Sequence, residues 1–314
     1  MNPKRVIVFG VGSIGSRVMG YLVKRGGYEI VGAVDSDPAK LGVDVGEVAG
    51  LKKSLGVCIA ADSRSLFERV KADVVVLTTQ SSLERVQSQI LEIVSQGMDI
   101  VSTCEELAYP WLTAPDMAQE IDRAAKEHGV SVLGTGVNPG FAMDLLPLVL
   151  TGVCQEVRKV TVRRTMDAQV RRLPFQKKIG VGLSLEAFRQ RVAEGTLRHV
   201  GLTESMHMIA SRMGWKLDRI EENIDPVIAE EQVVTEAMTV ERGQVLGVHQ
   251  TGRGYMNEEE VIRLVLRAAV GEQEPQDRVL IEGTPDLDMC VAGGIHGDIA
   301  TAAVVVNAIP VAMR

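Results

Sequence analysis

Two adjacent carboxylates stand where a reaction could use them. Glu105 and Glu106 follow the apolar run Gly97-Met98-Asp99-Ile100-Val101-Ser102-Thr103-Cys104 and precede an aromatic turn, Tyr109-Pro110-Trp111. Most glutamate pairs lie on solvated helix faces; these lie at the carboxyl edge of a strand. A carboxylate in a partly apolar site has a raised pKa and can act as a base near neutral pH. Arg171 and Arg172 share the segment Asp167 to Gly180 with Lys177 and Lys178, and proline and glycine make that segment read as a loop. A run of cations is usually a solvated face, yet a guanidinium fork pairs with a carboxylate at two points. His296 sits in Gly293-Gly294-Ile295-His296-Gly297-Asp298, a turn before an apolar helix that Asp298 would cap and Pro310 would end. Such a turn favours an anion, though His296 also reads as an ordinary loop histidine.

The strand-turn-helix that would carry a phosphate lies at the start of the chain. Arg5-Val6-Ile7-Val8-Phe9 runs into Gly10-Val11-Gly12-Ser13-Ile14-Gly15, and the following residues continue at helical spacing. In this context G-x-G-x-x-G is a dinucleotide fingerprint. Gly10 would make the turn, Gly12 would admit a pyrophosphate and Gly15 would let helix and strand pack closely. The helix N-terminus at Ser13 and Ile14 would face the phosphates. The next strand, Tyr28 to Val34, ends in Asp35, a carboxylate placed to bind an adenosine ribose. No arginine follows Asp35 directly and Lys40 is the nearest cation, so NAD is favoured with NADP possible.

The elements between these residues alternate strand and helix. Pro38 suits a first helical turn capped by Asp37, Val57 to Ala61 is a short strand, and Ser65 to Val70 is helical. Asp73 to Thr79 is the strongest strand signal. After it, Leu83, Val86, Ile90 and Val94 share one helix face. Ligands sit beyond the carboxyl ends of such strands. Thr78, Thr79, Gln80 and Cys104 are therefore candidates for the cofactor rim. Asp116 to Glu127 is a helix and Val130 to Leu133 a strand. It leads to Gly134-Thr135-Gly136-Val137-Asn138-Pro139-Gly140, where Asn138, Pro139 and Gly140 are candidates for the substrate, and then to an apolar helix, Phe141 to Leu150.

From about Gln155 the pattern changes. Val157 to Arg164 alternates as a strand, Leu185 to Glu194 and Glu204 to Met213 are helical, and Val233 to Val248 and Val261 to Val270 read as long strands. The fold class is α/β: an N-terminal Rossmann domain with a doubly wound parallel sheet, then an α+β domain on a mostly antiparallel sheet. The expected divisions are 1–140 for dinucleotide binding, 141–290 for substrate and dimerisation, and 291–314 as a C-terminal helix packing back toward the first domain.

Composition excludes several classes. Of 314 residues, 46% are hydrophobic and 24% charged, ordinary for a soluble globular chain. A net charge of −7 argues against a nucleic-acid partner. No apolar run has the length of a membrane span, and the early glycines argue against a signal peptide. Four cysteines without a C-x-x-C pair and five histidines without an H-E-x-x-H pattern give no metal site and no disulfide framework. A cytoplasmic homodimer is expected.

Together, the glycine turn, Cys104-Glu105-Glu106-Leu107, Gly136-Val137-Asn138-Pro139-Gly140-Phe141, Arg171-Arg172-Leu173-Pro174-Phe175-Gln176 and Gly293 to Thr301 resemble the 2,4-diaminopentanoate dehydrogenase family. That family includes amine dehydrogenases and belongs to the dihydrodipicolinate reductase-like group. The resemblance implies reversible NAD(P)-dependent oxidative deamination, with a diamino acid or a simpler amine as the small-molecule partner. It implies that a glutamate after the fifth strand is catalytic, which maps onto Glu105 or Glu106; Glu105 lies closer to the strand end. Arg171 and Arg172 become candidates for a substrate carboxylate, with Asn138 and His296 completing a polar wall. The His-His-rich motif of the reductase proper is missing, which argues against activity on dihydrodipicolinate. A non-catalytic dinucleotide sensor is the remaining alternative.

Overall fold

The computed structural model describes residues 2–171, 173–235 and 238–313. The chain forms two compact units, 1–141 with 296–314, and 142–295.

The first unit alternates strictly. In chain order it has β1 (Lys4–Phe9), α1 (Ser13–Arg25), β2 (Tyr28–Val34), α2 (Val45–Val48), β3 (Ile59–Ala60), α3 (Ser63–Arg69), β4 (Val74–Leu77), α4 (Leu83–Ser95), β5 (Asp99–Ser102), α5 (Pro115–His128) and β6 (Val132–Gly134). The strands pair in parallel in the order β3-β2-β1-β4-β5-β6. Side chains alternate across the sheet. Val6, Val8, Val74 and Val76 enter one core with Val18, Met19 and Leu22 of α1. Ile7, Phe9, Val75 and Leu77 enter another with Phe67 and the α4 residues Leu83, Val86, Ile90 and Val94. Burial on both faces is why the strands read as unbroken apolar runs. Asp37-Pro38 starts a turn rather than a helix. The Asp37 carboxylate accepts from the Ala39 N–H at 3.0 Å, an Asx turn, and Gly42 at φ +76° carries the chain away.

The second unit contains α6 (Leu145–Thr151), β7 (Glu156–Asp167), α7 (Leu173–Lys178), α8 (Leu185–Ala193), α9 (Leu202–Met213), β8 (Arg219–Ile228), β9 (Val233–Val234), β10 (Thr239–Val240), β11 (Val245–Met256), β12 (Glu259–Ala269), β13 (Gln276–Thr284) and β14 (Leu287–Ala292). Its main sheet runs β14-β13-β7-β12-β11-β8. Neighbours are antiparallel except β7 and β12. Val160, Val162, Ile262, Leu264, Val279 and Ile281 are buried, and α9 packs against β11 and β12.

Three readings of this half change. Val233 to Val248 is not one strand: β9 and β10 pair as a short hairpin, and Gly243 at φ +84° turns the chain before β11. The cationic segment is partly helical, as α7, with Pro174 in its first turn, where a missing N–H costs nothing. The helix expected from Phe141 begins only at Leu145, where Asp144 accepts from the Leu145 N–H at 2.6 Å and from Ser205 Oγ at 2.7 Å.

Helix α10 (Gly297–Ala312) returns the chain to the first unit, where Ala302, Val305, Val306 and Ile309 join the core beside α1. Its N-cap is His296, and Asp298 lies buried in the first turn rather than at the cap. Pro310 lies inside the helix, which continues beyond it through the Met313 N–H to Ile309 carbonyl bond. No helix among the described residues is long and apolar enough to cross a membrane.

Candidate active site

The glycine turn has the form a dinucleotide needs. Gly10 has φ +97°, and a Cβ there would lie 2.8 Å from the Thr78 carbonyl oxygen. A Cβ on Gly15 would lie 2.0 Å from the Gly10 oxygen. Gly12 differs: a Cβ there meets nothing within 4 Å. The turn is therefore closed toward protein at Gly10 and Gly15 and open at Gly12, where a pyrophosphate would approach. The first helical bond of α1 runs from Ser16 N–H to the Gly12 carbonyl. The N–H groups of Ser13, Ile14 and Gly15 precede it and have no partner within the helix.

Asp35 ties the end of β2 to this turn. Its Oδ2 accepts from the Val11 N–H at 2.6 Å, and its Oδ1 from the Asp37 N–H at 2.8 Å. Lys40 Nζ lies 3.4 Å from Asp35 and 3.3 Å from Asp37. A carboxylate offers about four lone-pair directions, and with Lys40 taking a third, Asp35 retains one for a ribose hydroxyl. The residues present thus fit a nicotinamide dinucleotide. Thr78 holds the turn from the neighbouring strand, its hydroxyl donating to the Gly10 carbonyl at 2.6 Å. Thr79 donates to Gln89 at 2.7 Å, and Gln80 is exposed.

The glutamates lie on a short 3₁₀ turn, Glu105–Leu107. Glu106 Oε2 accepts from the Leu83 N–H at 2.7 Å, so this carboxylate caps α4. Glu105 is half-buried at the carboxyl end of β5. Gly134 lets β6 run against this turn: a Cβ there would lie 2.5 Å from the Leu107 carbonyl. Nothing in the pattern around Gly134 announced that role. Cys104 is buried and donates to the Ser81 carbonyl at 3.2 Å. Burial, with both glutamates adding, pushes its thiol up to about 12, so it remains a protonated packing residue.

The other candidates are distributed between the units. Asn138 is buried, and Gly140 has φ +117° in a turn where a Cβ would lie 2.4 Å from the Gly136 nitrogen. His296 accepts from the Ile299 N–H through Nδ1 at 3.5 Å. In the second unit Arg171 stacks on Phe175, 4.2 Å from the ring centroid, and reaches Met166 Sδ at 3.6 Å. Gln176 Nε2 lies within hydrogen-bond distance of the carbonyls of Ala168, Gln169 and Arg171, fixing the local path. Arg172 lies outside the described residues. Among the described residues no cluster of His, Cys, Asp or Glu could hold a metal.

One buried ion pair was missed. Arg164 Nη1 and Asp277 Oδ2 are 3.6 Å apart, and each side chain is 2% exposed. Arg164 donates to the Ile295 carbonyl at 2.6 Å, and Asp277 accepts from the Ile295 N–H at 2.7 Å. The signal was in the alternation. Arg164 follows Val160 and Val162 in phase, and Asp277 precedes Val279 and Ile281 in phase, at positions otherwise given to core residues.

A Rossmann sheet with a built phosphate turn, joined to a separate mixed-sheet unit, is the architecture of nicotinamide-dependent oxidoreductases. Residues 141–314 match the model of the 2,4-diaminopentanoate dehydrogenase C-terminal domain, and residues 4–103 match that of the dihydrodipicolinate reductase N-terminus. The 2,4-diaminopentanoate dehydrogenase of Acetoanaerobium sticklandii is 36% identical, over 99% of this chain and 90% of that protein. The chain belongs to the 2,4-diaminopentanoate dehydrogenase family and is a nicotinamide-dependent oxidoreductase acting on amines. The amine dehydrogenase of Streptomyces virginiae is 24% identical over 93% of this chain and 86% of its own. The structure of the amine dehydrogenase from Mycobacterium smegmatis superposes with a TM-score of 0.88 at 25% identity, covering 99% of this chain and 92% of that one. A dihydrodipicolinate reductase from Paenisporosarcina sp. TG-14, at 14% identity, 99% and 95% coverage and a TM-score of 0.56, shares the fold.

Proposed function

We propose that the enzyme oxidatively deaminates 2,4-diaminopentanoate to 2-amino-4-oxopentanoate, reversibly and with NAD preferred over NADP. The observation that carries the mechanism is the place of Glu105, half-buried just beyond the carboxyl end of β5. The base is assigned to it, beside Glu106, which accepts the Leu83 N–H at the start of α4. An ammonium has no lone pair to assist hydride departure, so Glu105 first takes a proton from the C4 ammonium. A bound nicotinamide supplies the hydride acceptor. Loss of hydride from C4 leaves an iminium; Glu105, once it has passed its proton to solvent, takes a proton from the water that attacks C4 and returns it to the departing nitrogen, giving ketone and ammonia. Gly10, Gly12, Gly15 and Asp35 would hold the dinucleotide, with Thr78, Thr79 and Gln80 at its rim. Arg171, with Arg172, Asn138, Pro139, Gly140 and His296, would receive the substrate. The reading includes a homodimer in the cytoplasm.

Glu105→Gln should lower kcat by about 10²- to 10⁴-fold while NADH titration gives an unchanged Kd. Retained turnover in that variant would remove Glu105 from the mechanism. NADH formation at alkaline pH, with 2,4-diaminopentanoate beside pentan-2-amine and NADP⁺ beside NAD⁺, tests substrate and cofactor together. The likeness to two amine dehydrogenases supports a second reading, an enzyme of simple amines without a carboxylate. Equal rates on the two substrates would favour it.

A further inference from the structure

The turn that carries Glu105 is fastened to the loop after β4 at three points. Cys104 Sγ and the Glu106 N–H both donate to the Ser81 carbonyl, at 3.2 Å and 3.3 Å. The Leu83 N–H donates to Glu106 Oε2 at 2.7 Å. Glu105 lies between the two residues that make these bonds. Its own carbonyl accepts from the Ala108 N–H at 3.1 Å, which closes the 3₁₀ turn, and the Cys104 N–H is held by Ser102 Oγ at 3.1 Å. Behind the turn stands β6, so close that a Cβ on Gly134 would lie 2.5 Å from the Leu107 carbonyl.

The loop is held at its other end by the phosphate turn. Thr78 donates to the Gly10 carbonyl through its hydroxyl at 2.6 Å and to the Phe9 carbonyl through its N–H at 2.8 Å. Thr79 is tied to Gln89 of α4 at 2.7 Å. A continuous set of bonds therefore runs from Gly10, through Thr78 to Leu83, to the residues on either side of Glu105. Of the three bonds that cross to the glutamate turn, the Glu106 carboxylate makes the shortest and the one that carries charge, and a charge-assisted bond is the stronger kind. It also supplies what the helix lacks locally, because Ser82 at the N-cap of α4 makes no side-chain capping bond.

We propose that Glu106 is a positioning residue. Its bond to the Leu83 N–H fixes the 3₁₀ turn against the loop after β4, and so sets where the Glu105 carboxylate stands relative to the cofactor rim assigned to Thr79 and Gln80. This rests on the assignment of Glu105 as the base and adds its neighbour to the mechanism. Misplacing a reacting group by about 1 Å can cost about 10²-fold in rate.

The test measures kcat, NADH Kd and melting temperature in Glu106→Ala, Glu106→Gln, Glu105→Gln and the double variant Glu105→Gln with Glu106→Ala. The substrate is whichever of 2,4-diaminopentanoate and pentan-2-amine the intact enzyme oxidises faster. Glu106→Ala removes the acceptor and should lower kcat about 10- to 100-fold with the NADH Kd unchanged. Glu106→Gln keeps a carbonyl oxygen for the Leu83 N–H and should restore kcat to within about fivefold of the intact enzyme. Because Glu106 acts through Glu105, the double variant should be no slower than Glu105→Gln alone. Losing a cap also weakens α4, so Ile90→Val, which thins the buried face of the same helix, is the control: it should lower the melting temperature and leave kcat intact. Intact kcat in Glu106→Ala overturns the proposal while Glu105 keeps its role. A Glu106→Gln enzyme as slow as Glu106→Ala overturns it, because the charge rather than the bond would then matter. A double variant slower than Glu105→Gln by the full factor overturns it as general damage. Full turnover in Glu105→Gln is the separate failure of the base assignment, and the proposal falls with it.

Discussion

The two units place polar chemistry in opposite ways. In the first, strands β1, β4 and β5 are four to six residues long, apolar through their middles, and carry their functional groups just beyond their carboxyl ends. In the second, strands β7, β11 and β12 run for 11 or 12 residues, and Arg164, Asp277 and Gln250 lie within the sheet itself. A short parallel strand covered on both faces has no interior position where a charge can be solvated. A long strand in a mixed sheet can bury one, provided a neighbouring strand supplies the counter-charge. The lesson is that edge chemistry is organised by turns, whereas mid-sheet chemistry is organised by register.

Register is therefore what to break first. Arg164→Met leaves Asp277 buried without its cation and should cost about 3–5 kcal/mol of stability. The double variant Arg164→Met with Asp277→Leu removes both charges and should recover most of that loss, as buried pairs replaced by apolar groups often do. Urea unfolding measures both. A double variant as unstable as the single one would show that the bonds to Ile295, rather than charge balance, are what the pair contributes.

Glycines sharpen the same contrast. A Cβ at Gly15 would lie 2.0 Å from a backbone oxygen of the phosphate turn, whereas one at Gly252 would lie 2.9 Å from the end of the Met206 side chain. Backbone in a tight turn cannot yield cheaply, but a methionine re-packs. Gly15→Ala should cost about 1–3 kcal/mol and abolish NADH binding measured by fluorescence. Gly252→Ala should cost under about 1 kcal/mol and leave the NADH Kd unchanged. Similar losses in both would mean that α9 is held as rigidly on its sheet as the phosphate turn is on its own.

This division also decided what could be read in the sequence. The glycine spacing, the Asp35 carboxylate and the α4 stripe are local patterns, and each marks a position in the first unit directly. Glu106 was legible as a candidate, but its capping bond to Leu83 is a contact across 23 residues that no local pattern encodes. Arg164 and Asp277 announced themselves only as charges in phase with core valines, which composition alone reads as a solvated face. Gln250 and His199 are 51 residues apart and meet through an amide clamp, so neither stood out. The cationic segment looked like a loop because Pro174 was read as a breaker, when in a first helical turn it is an initiator. At the last helix Asp298 looked like the cap, yet the preceding imidazole took that place.

Acid should separate the two units by the smallest effect. In the first unit Asp44 accepts N–H bonds from Leu55, Gly46 and Gly56, which hold its pKa down at about 2, and Asp62 is lowered by its bonds to Ser65 and Arg64. A carboxylate depressed in this way contributes fully above its unfolded value near 3.8 and loses its contribution as pH falls through the folded value. His199 acts in a different window. Its folded pKa lies at about 3 against 6.5 for the free side chain, so between these values the unfolded chain holds a proton that the folded one refuses. Stability then falls steadily as pH drops from 6.5 toward 3. Burial raises Glu222 and Asp277, which opposes the trend at its acid end. Hydrogen exchange followed peptide by peptide should therefore show the second unit loosening between pH 6 and pH 5, while the first is unmoved until below about 3.8. His199→Phe should flatten most of that early slope, and His207 and His249, lowered by burial as His199 is, contribute the remainder. A slope that the substitution leaves unchanged would mean that those two imidazoles, rather than His199, refuse the proton.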